Sequence, residues 1–136
     1  MEITLLQCVL IGLWTGFCLA GMLLGIYTNR CLVMATGVGL ILGDLPTGLA
    51  MGAVGELACM GFGVSQGGSV PPNAMGPGII GAILAITMKD SGMDVSTALS
   101  LSFPFAVAFQ FLITATYTFA TTLTGTAIKA LEKKQF

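Results

Sequence analysis

Histidine is absent from these 136 residues, and Asp, Glu, Lys and Arg together supply only 8% of them. A soluble domain carries about 25% charged residues, so a water-facing surface cannot be built from this composition. The net charge of −1 leaves no basic field to attract nucleic acid and no acidic tail to keep a chain in solution. The four cysteines form no C-x-x-C pair, and with no histidine beside them they suggest neither a zinc site nor a disulfide framework. Cys8, Cys18, Cys31 and Cys59 are read instead as small buried packing residues. The phosphate-binding pattern G-x-x-x-x-G-K-[ST] does not occur. What is present is apolar: 55% hydrophobic residues and a mean hydropathy of +0.95. Lipid is the solvent that such a surface fits.

The few charges mark off apolar stretches, the four longest being Ile3 to Asn29, Cys31 to Gly43, Leu57 to Met88 and Val95 to Ile128. The first begins with Glu2 and no Lys or Arg, and it exceeds the roughly 7–15-residue core of a secretory signal. It is expected to be a retained membrane helix. The last carries Pro104 near its start, which predicts a kinked or interfacial lead-in over Ser96 to Phe103, then a span from Pro104 to Ile128. Between these two spans the chain is interrupted by Asp44, Pro46, Glu56, Gly67-Gly68, Pro71-Pro72 and Pro77. Backbone groups freed by Gly and Pro have no water to bond at membrane depth, so such segments belong inside protein or beside a polar cavity. The expected fold is an all-α integral membrane domain covering residues 1–136. Two full spans flank short, broken or re-entrant helices over Cys31–Gly43, Thr47–Gly63 and Met75–Met88. Arg30 and the Lys129, Lys133, Lys134 cluster favour the cytoplasmic side.

Among candidate site residues, Glu56 stands far from other charges in sequence, and an ionised carboxylate at membrane depth costs roughly 2.5–3.5 kcal/mol on insertion scales. Sugar hydroxyls could compensate it through charge-assisted bonds. The structural alternative is a Glu that is protonated, or paired with a lysine or a freed backbone N–H, and the ligand reading is preferred because acids within a membrane are functional by default. Asp44, just before Pro46 and a helical run, has a local use as a turn or helix cap. The run Ser65-Gln66-Gly67-Gly68-Ser69-Val70-Pro71-Pro72-Asn73 is the most polar interior segment. Gln66 and Asn73 offer amides there, and glycines admit close backbone approach, so it reads as a pocket loop or an exposed turn. Gly12 with Gly16, and Gly21 with Gly25, are small-x-x-x-small pairs that suggest close helix contact.

In chain order these residues resemble the IIC components of the mannose, fructose, sorbose and N-acetylgalactosamine group of bacterial phosphotransferase systems. The resemblance is carried by the opening Met1-Glu2-Ile3-Thr4-Leu5-Leu6-Gln7, and by Asn29-Arg30-Cys31-Leu32-Val33, where the family usually has proline at the Cys31 position. It continues through Gly39-Leu40-Ile41-Leu42-Gly43-Asp44-Leu45-Pro46-Thr47-Gly48, Gly55-Glu56-Leu57 and the Pro71-Pro72-Asn73 loop. It covers the N-terminal portion of proteins about twice this length.

The resemblance implies a multi-pass protein of the bacterial inner membrane, working in an oligomeric complex with a IID subunit and fed by soluble IIA and IIB phosphocarriers. A chain without histidine cannot be the phosphocarrier, so no catalytic residue, cofactor or metal is expected. The implied role is to bind and translocate a hexose or amino sugar, by alternating access, with Glu56, Gln66, Gly67, Gly68, Ser69 and Asn73 near it. The alternatives from other classes are a small oligomeric exporter using Glu56 as a proton or cation site, a structural accessory subunit, and an inactive truncated subunit.

Overall fold

The computed structural model describes residues 3–59 and 72–132, and these contain helices and turns but no strand. Helix α1 spans Leu5–Leu23 and opens with a reciprocal cap, in which the Thr4 side chain accepts from Gln7 N and the Gln7 side chain accepts from Thr4 N. Such a box satisfies two of the amides that every helix start leaves without a partner. Gly25 takes φ +75, a left-handed conformation that glycine adopts freely, and a 3₁₀ turn at Tyr27–Asn29 follows. The first apolar stretch is therefore not one helix to Asn29. Its apolar helix is shorter than a full span, and Val95–Leu131 is the one described helix long and apolar enough to cross a membrane.

Helices α2 (Cys31–Leu42) and α3 (Leu45–Cys59) form a tight hairpin. The turn between them uses Gly43 at φ +82, and the first expected broken helix, Cys31–Gly43, thus ends at its glycine. The second begins at Leu45 rather than Thr47, with Asp44 just before it, and its expected end at Gly63 lies outside the described residues. Glycine here is a packing device. A Cβ on Gly48 would stand 2.7 Å from the Ala35 carbonyl oxygen and 2.8 Å from Gly39 Cα, and one on Gly52 would stand 2.9 Å from Leu32 Cα. The hairpin's backbones meet because these side chains are missing.

The third expected helix, Met75–Met88, is present as a π-helical turn at Gly76–Gly81 running into α4 (Ala82–Thr87). Gly76 lies against Ala106, Gly78 against Cys31 and Met34, and Gly81 against Met51 and Ser102. A 3₁₀ turn at Lys89–Ser91 leads to α5, which runs unbroken from Val95 to Glu132. The expected lead-in and span are therefore one helix that passes through Pro104. Two features flank the proline. The buried Ser102 hydroxyl donates to the Leu99 carbonyl at 2.8 Å in the turn before the proline. The buried row Ala98, Ser102 and Ala106 is also gripped by the glycine-faced π turn on the opposite side of the contact.

α1 packs antiparallel on α2. The Trp14 indole N–H donates to the Met34 carbonyl at 3.2 Å, and the Gln7 amide donates to the Ile41 carbonyl at 3.3 Å. Gly37 leaves room for the Trp14 ring. The core collects Ile11 and Cys18 from α1, Met34, Ala35, Val38 and Leu42 from α2, Met51 from α3, and Ile79, Ala82, Ala85 and Ile86 from the π turn and α4. Cys18 and Cys31 are buried as expected, Cys59 is partly buried, and Cys8 is exposed on a face of α1 that no other described element covers. Among the described residues nothing lies within 4 Å of a Cβ built on Gly12 or Gly16, which share that open side; Gly21 instead packs against Thr28. The contact inferred from the first glycine pair is thus not made among the described residues.

Candidate functional site

Glu56 projects from α3 toward the start of α2. Its Oε1 lies 2.6 Å from Arg30 Nε, and its Oε2 accepts from the Leu32 backbone N–H at 3.3 Å. Leu32 is the second residue of α2, and Arg30, at the cap position, supplies no side-chain bond of its own. Glu56 therefore caps α2 from a neighbouring helix. A carboxylate suits that place twice over, since it takes up an amide that has no intrahelical acceptor and faces the positive end of the helix dipole. The Glu56 side chain is 20% exposed and that of Arg30 48%. The compensation that the isolated acid requires comes from within the chain, through the freed backbone N–H among the alternatives and through arginine in place of lysine.

Asp44 holds the opposite end of the hairpin. Its Oδ1 accepts from Thr47 N at 3.2 Å, and its Oδ2 accepts from Thr47 Oγ1 at 2.8 Å and Lys89 Nζ at 2.7 Å. Lys89 also donates to Thr47 Oγ1 at 2.9 Å. The expected cap is present, and it doubles as a tie between the α2–α3 turn and the α4–α5 turn. The Lys89 hydrogen bond, followed by that from the Thr47 hydroxyl, holds the Asp44 carboxyl below its ordinary pKa. In the second of these turns Asp94 accepts from Ser96 Oγ at 2.7 Å, and this bond, with the Val95 backbone N–H, lowers its carboxyl pKa as well.

Asn73 sits at the entry to the π turn. Its Oδ1 accepts from Met75 N at 2.9 Å, and its own N–H donates to the Ala106 carbonyl of α5 at 3.3 Å. Gln66, Gly67, Gly68 and Ser69 lie outside the described residues. Of the six expected site residues, Glu56 and Asn73 can thus be placed, and they have different surroundings: the start of α2 for one, the flank of α5 for the other. The residues that sequence reasoning missed are the cations, Arg30 and Lys89. Arg30 is the chain's only arginine, and pairing the sole guanidinium with the most isolated carboxylate was the available signal.

The profile of the family described as the PTS system sorbose-specific IIC component matches residues 5–136. A putative N-acetylgalactosamine permease IIC component 2 of Escherichia coli (strain K12) is 38% identical, over 84% of this chain and 84% of that one. The PTS system sorbose-specific EIIC component of Klebsiella pneumoniae is 34% identical over 100% of this chain and 50% of its own length. The PTS system mannose-specific EIIC component of Escherichia coli (strain K12) is 36% identical over 82% of this chain and 41% of its own. The chain thus spans about half the length or less of the sorbose and mannose relatives. No solved structure matches it.

Proposed function

Because the chain belongs to the sorbose-specific IIC family of phosphotransferase-system components, membrane transport subunits rather than enzymes, we propose that it is a multi-pass sugar-transport subunit of the bacterial inner membrane. In this reading it binds and translocates a hexose or amino sugar that a IIB partner phosphorylates. It works beside a IID subunit in an oligomer fed by IIA and IIB. The observation that carries the proposal is the family match, which runs from Leu5 to the last residue.

The paired helices α2 and α3 support a transport role by their size. Twelve residues of α2 rise about 18 Å at 1.5 Å each, well short of a bilayer core of about 30 Å. A hairpin of that length, closed by ion pairs at both ends, suits a re-entrant element whose loops border a polar cavity. In the full complex α1 completes the second span by association with partner helices through its open face. The sugar contacts we propose are the amides and backbone of Gln66, Gly67, Gly68, Ser69 and Asn73. Glu56 contributes through whatever acceptor capacity Arg30 and Leu32 leave free, since a carboxylate offers about four lone-pair sites.

The test is sugar binding to membranes carrying the chain with its membrane partner. Glu56→Gln keeps an acceptor for Leu32 N but removes the charge. A loss of affinity of roughly tenfold with normal assembly supports the contact, whereas a loss of assembly with affinity intact in the residual complex assigns Glu56 wholly to α2. The rival reading, an exporter that uses Glu56 as a proton or cation site, is disfavoured because Arg30 already neutralises that carboxylate.

A further inference from the structure

We infer that the cleft between the Pro72 turn and the middle of α5 extends the proposed sugar site as a seat for a neutral polyhydroxylated ligand, with Gln110 as a further polar contact. The inference rests on the sugar-transport reading and gives that function a place in the fold. The cleft holds about 520 Å³ and is walled by Pro72, Phe103, Val107, Gln110, Phe111 and Thr114, inside the range of roughly 300–1,000 Å³ of small-molecule sites. Through Gln110 and Thr114 it opens into a groove along α5 edged by Tyr117, Thr118, Thr121 and Thr122. The site is braced where it matters. Asn73 N donates to the carbonyl of Ala106, one helical turn before Gln110, so the Pro72–Asn73 turn is fixed against α5 at the cleft itself.

The ligand class follows from which groups line the space. From Val95 to Ile128 there is no charged residue, so an anion or cation would find no counter-charge there. The polar groups present are an amide and hydroxyls. Thr118, Thr121 and Thr122 each donate to the carbonyl four residues earlier, at 2.8–2.9 Å, which spends their protons and leaves their oxygens as acceptors. The Gln110 amide donates to Thr114 Oγ1 at 3.3 Å, and an amide carries a second N–H and a carbonyl oxygen besides. Neighbouring hydroxyls of one sugar can donate to that oxygen and accept from that N–H, while the C–H face of a pyranose packs on the Phe103 and Phe111 rings. An acyl chain or an apolar helix would use the rings and offer nothing to the second N–H and the carbonyl oxygen of the amide.

The experiment uses membrane vesicles carrying the chain with its membrane partner and three probes: mannose, N-acetylgalactosamine and sorbose. For whichever sugar the native complex binds, Gln110→Leu is expected to weaken affinity by roughly tenfold or more without loss of assembly. In an otherwise native chain, Val107→Cys should react with a small thiol reagent more slowly when that sugar is saturating, measured as the increment over labelling of the native chain's own cysteines. The site assignment is overturned if Gln110→Leu binds within about twofold of native and sugar leaves Val107→Cys labelling unchanged, while the transport reading stands. It is equally overturned if Val107→Cys is shielded whether or not sugar is present and Gln110→Leu loses assembly, because the cleft is then a seat for a partner helix. Failure of the native complex to bind any of the three sugars would remove the transport reading and the site together.

Discussion

The two ends of the α2–α3 hairpin are closed by the same chemistry, a carboxylate on a backbone amide and on a cation, yet they differ in how far the partners are spread along the chain. At one end Asp44 caps the helix that begins beside it and adds Lys89 from the turn before α5. At the other, Glu56 reaches back from the last turn of α3 to cap α2 at Leu32, 24 residues earlier, and pairs with Arg30. The first arrangement tethers the hairpin to its neighbours, and the second locks it onto itself. An acid that is isolated in sequence can thus be fully provided for in space, so isolation alone does not mark a ligand site.

Between those ends the hairpin is held by glycine contact, and the sharpest way to break the comparison is to show that the middle matters more than either end. Gly48→Val places a branched side chain where even a Cβ would stand 2.7 Å from the Ala35 carbonyl oxygen. Overpacking of this kind costs about 1–3 kcal/mol, and the upper end is expected because the obstacle is backbone. Thermal unfolding in detergent should record it as the largest loss of this set, while Gly16→Ala, inside α1 with nothing within 4 Å of the added carbon, should cause no loss and a small gain from the helix preference of Ala over Gly. Equal effects at the two glycines would mean that the hairpin is not close-packed as described.

The next largest effect separates the two carboxylates. Glu56→Ala strips α2 of its cap and leaves Arg30 unpaired, for which about 1–2 kcal/mol is expected, the lower part of the range for bonds to charged groups because Arg30 is half exposed. A double-mutant cycle of Arg30→Met and Glu56→Gln should give a coupling of about 1 kcal/mol. Additive single effects would show that the pair does not form in the membrane and would return Glu56 to the ligand reading.

The all-α architecture, the short helices between Cys31 and Met88, and the Asp44 cap were legible in the sequence because each rests on local signals: apolar run length, punctuation by Gly and Pro, and a carboxylate three residues before an amide. The Gly and Pro signal was read too strongly as disruption. Gly48, Gly52, Gly76 and Gly81 sit inside helices as points of approach, and Pro104 does not divide α5. Whether a glycine breaks a helix or seats a neighbour depends on what lies opposite, which is tertiary information. The Arg30–Glu56 pair was hidden for the same reason. Gln110 could have been noticed, since an amide in the middle of a charge-free apolar stretch is costly unless partnered, and helical spacing puts Phe103 on its face, but nothing in sequence puts Pro72 beside it.

The smallest expected effect is at the Asp44 end. Exposed ion pairs contribute about 0.2–1 kcal/mol, and the Lys89 side chain here is 56% exposed, so Lys89→Met should shift unfolding only slightly. The pair is better tested by titration than by stability. Asp44 has a folded pKa below its ordinary value, chiefly through the Lys89 hydrogen bond. The stabilisation from a depressed carboxyl is complete above the unfolded pKa of about 3.9 and is lost as pH falls through the lower folded value. The Thr47 amide donates to Asp44 Oδ1, so its NMR resonance should move with a midpoint below the ordinary aspartate range and stay constant from there to neutrality. Lys89→Met should raise that midpoint toward the ordinary value, and Asp44→Asn should abolish the transition. A native midpoint at or above the ordinary value would mean that Lys89 does not reach Asp44, and the hairpin would then be tied to the rest of the fold by packing alone at this end.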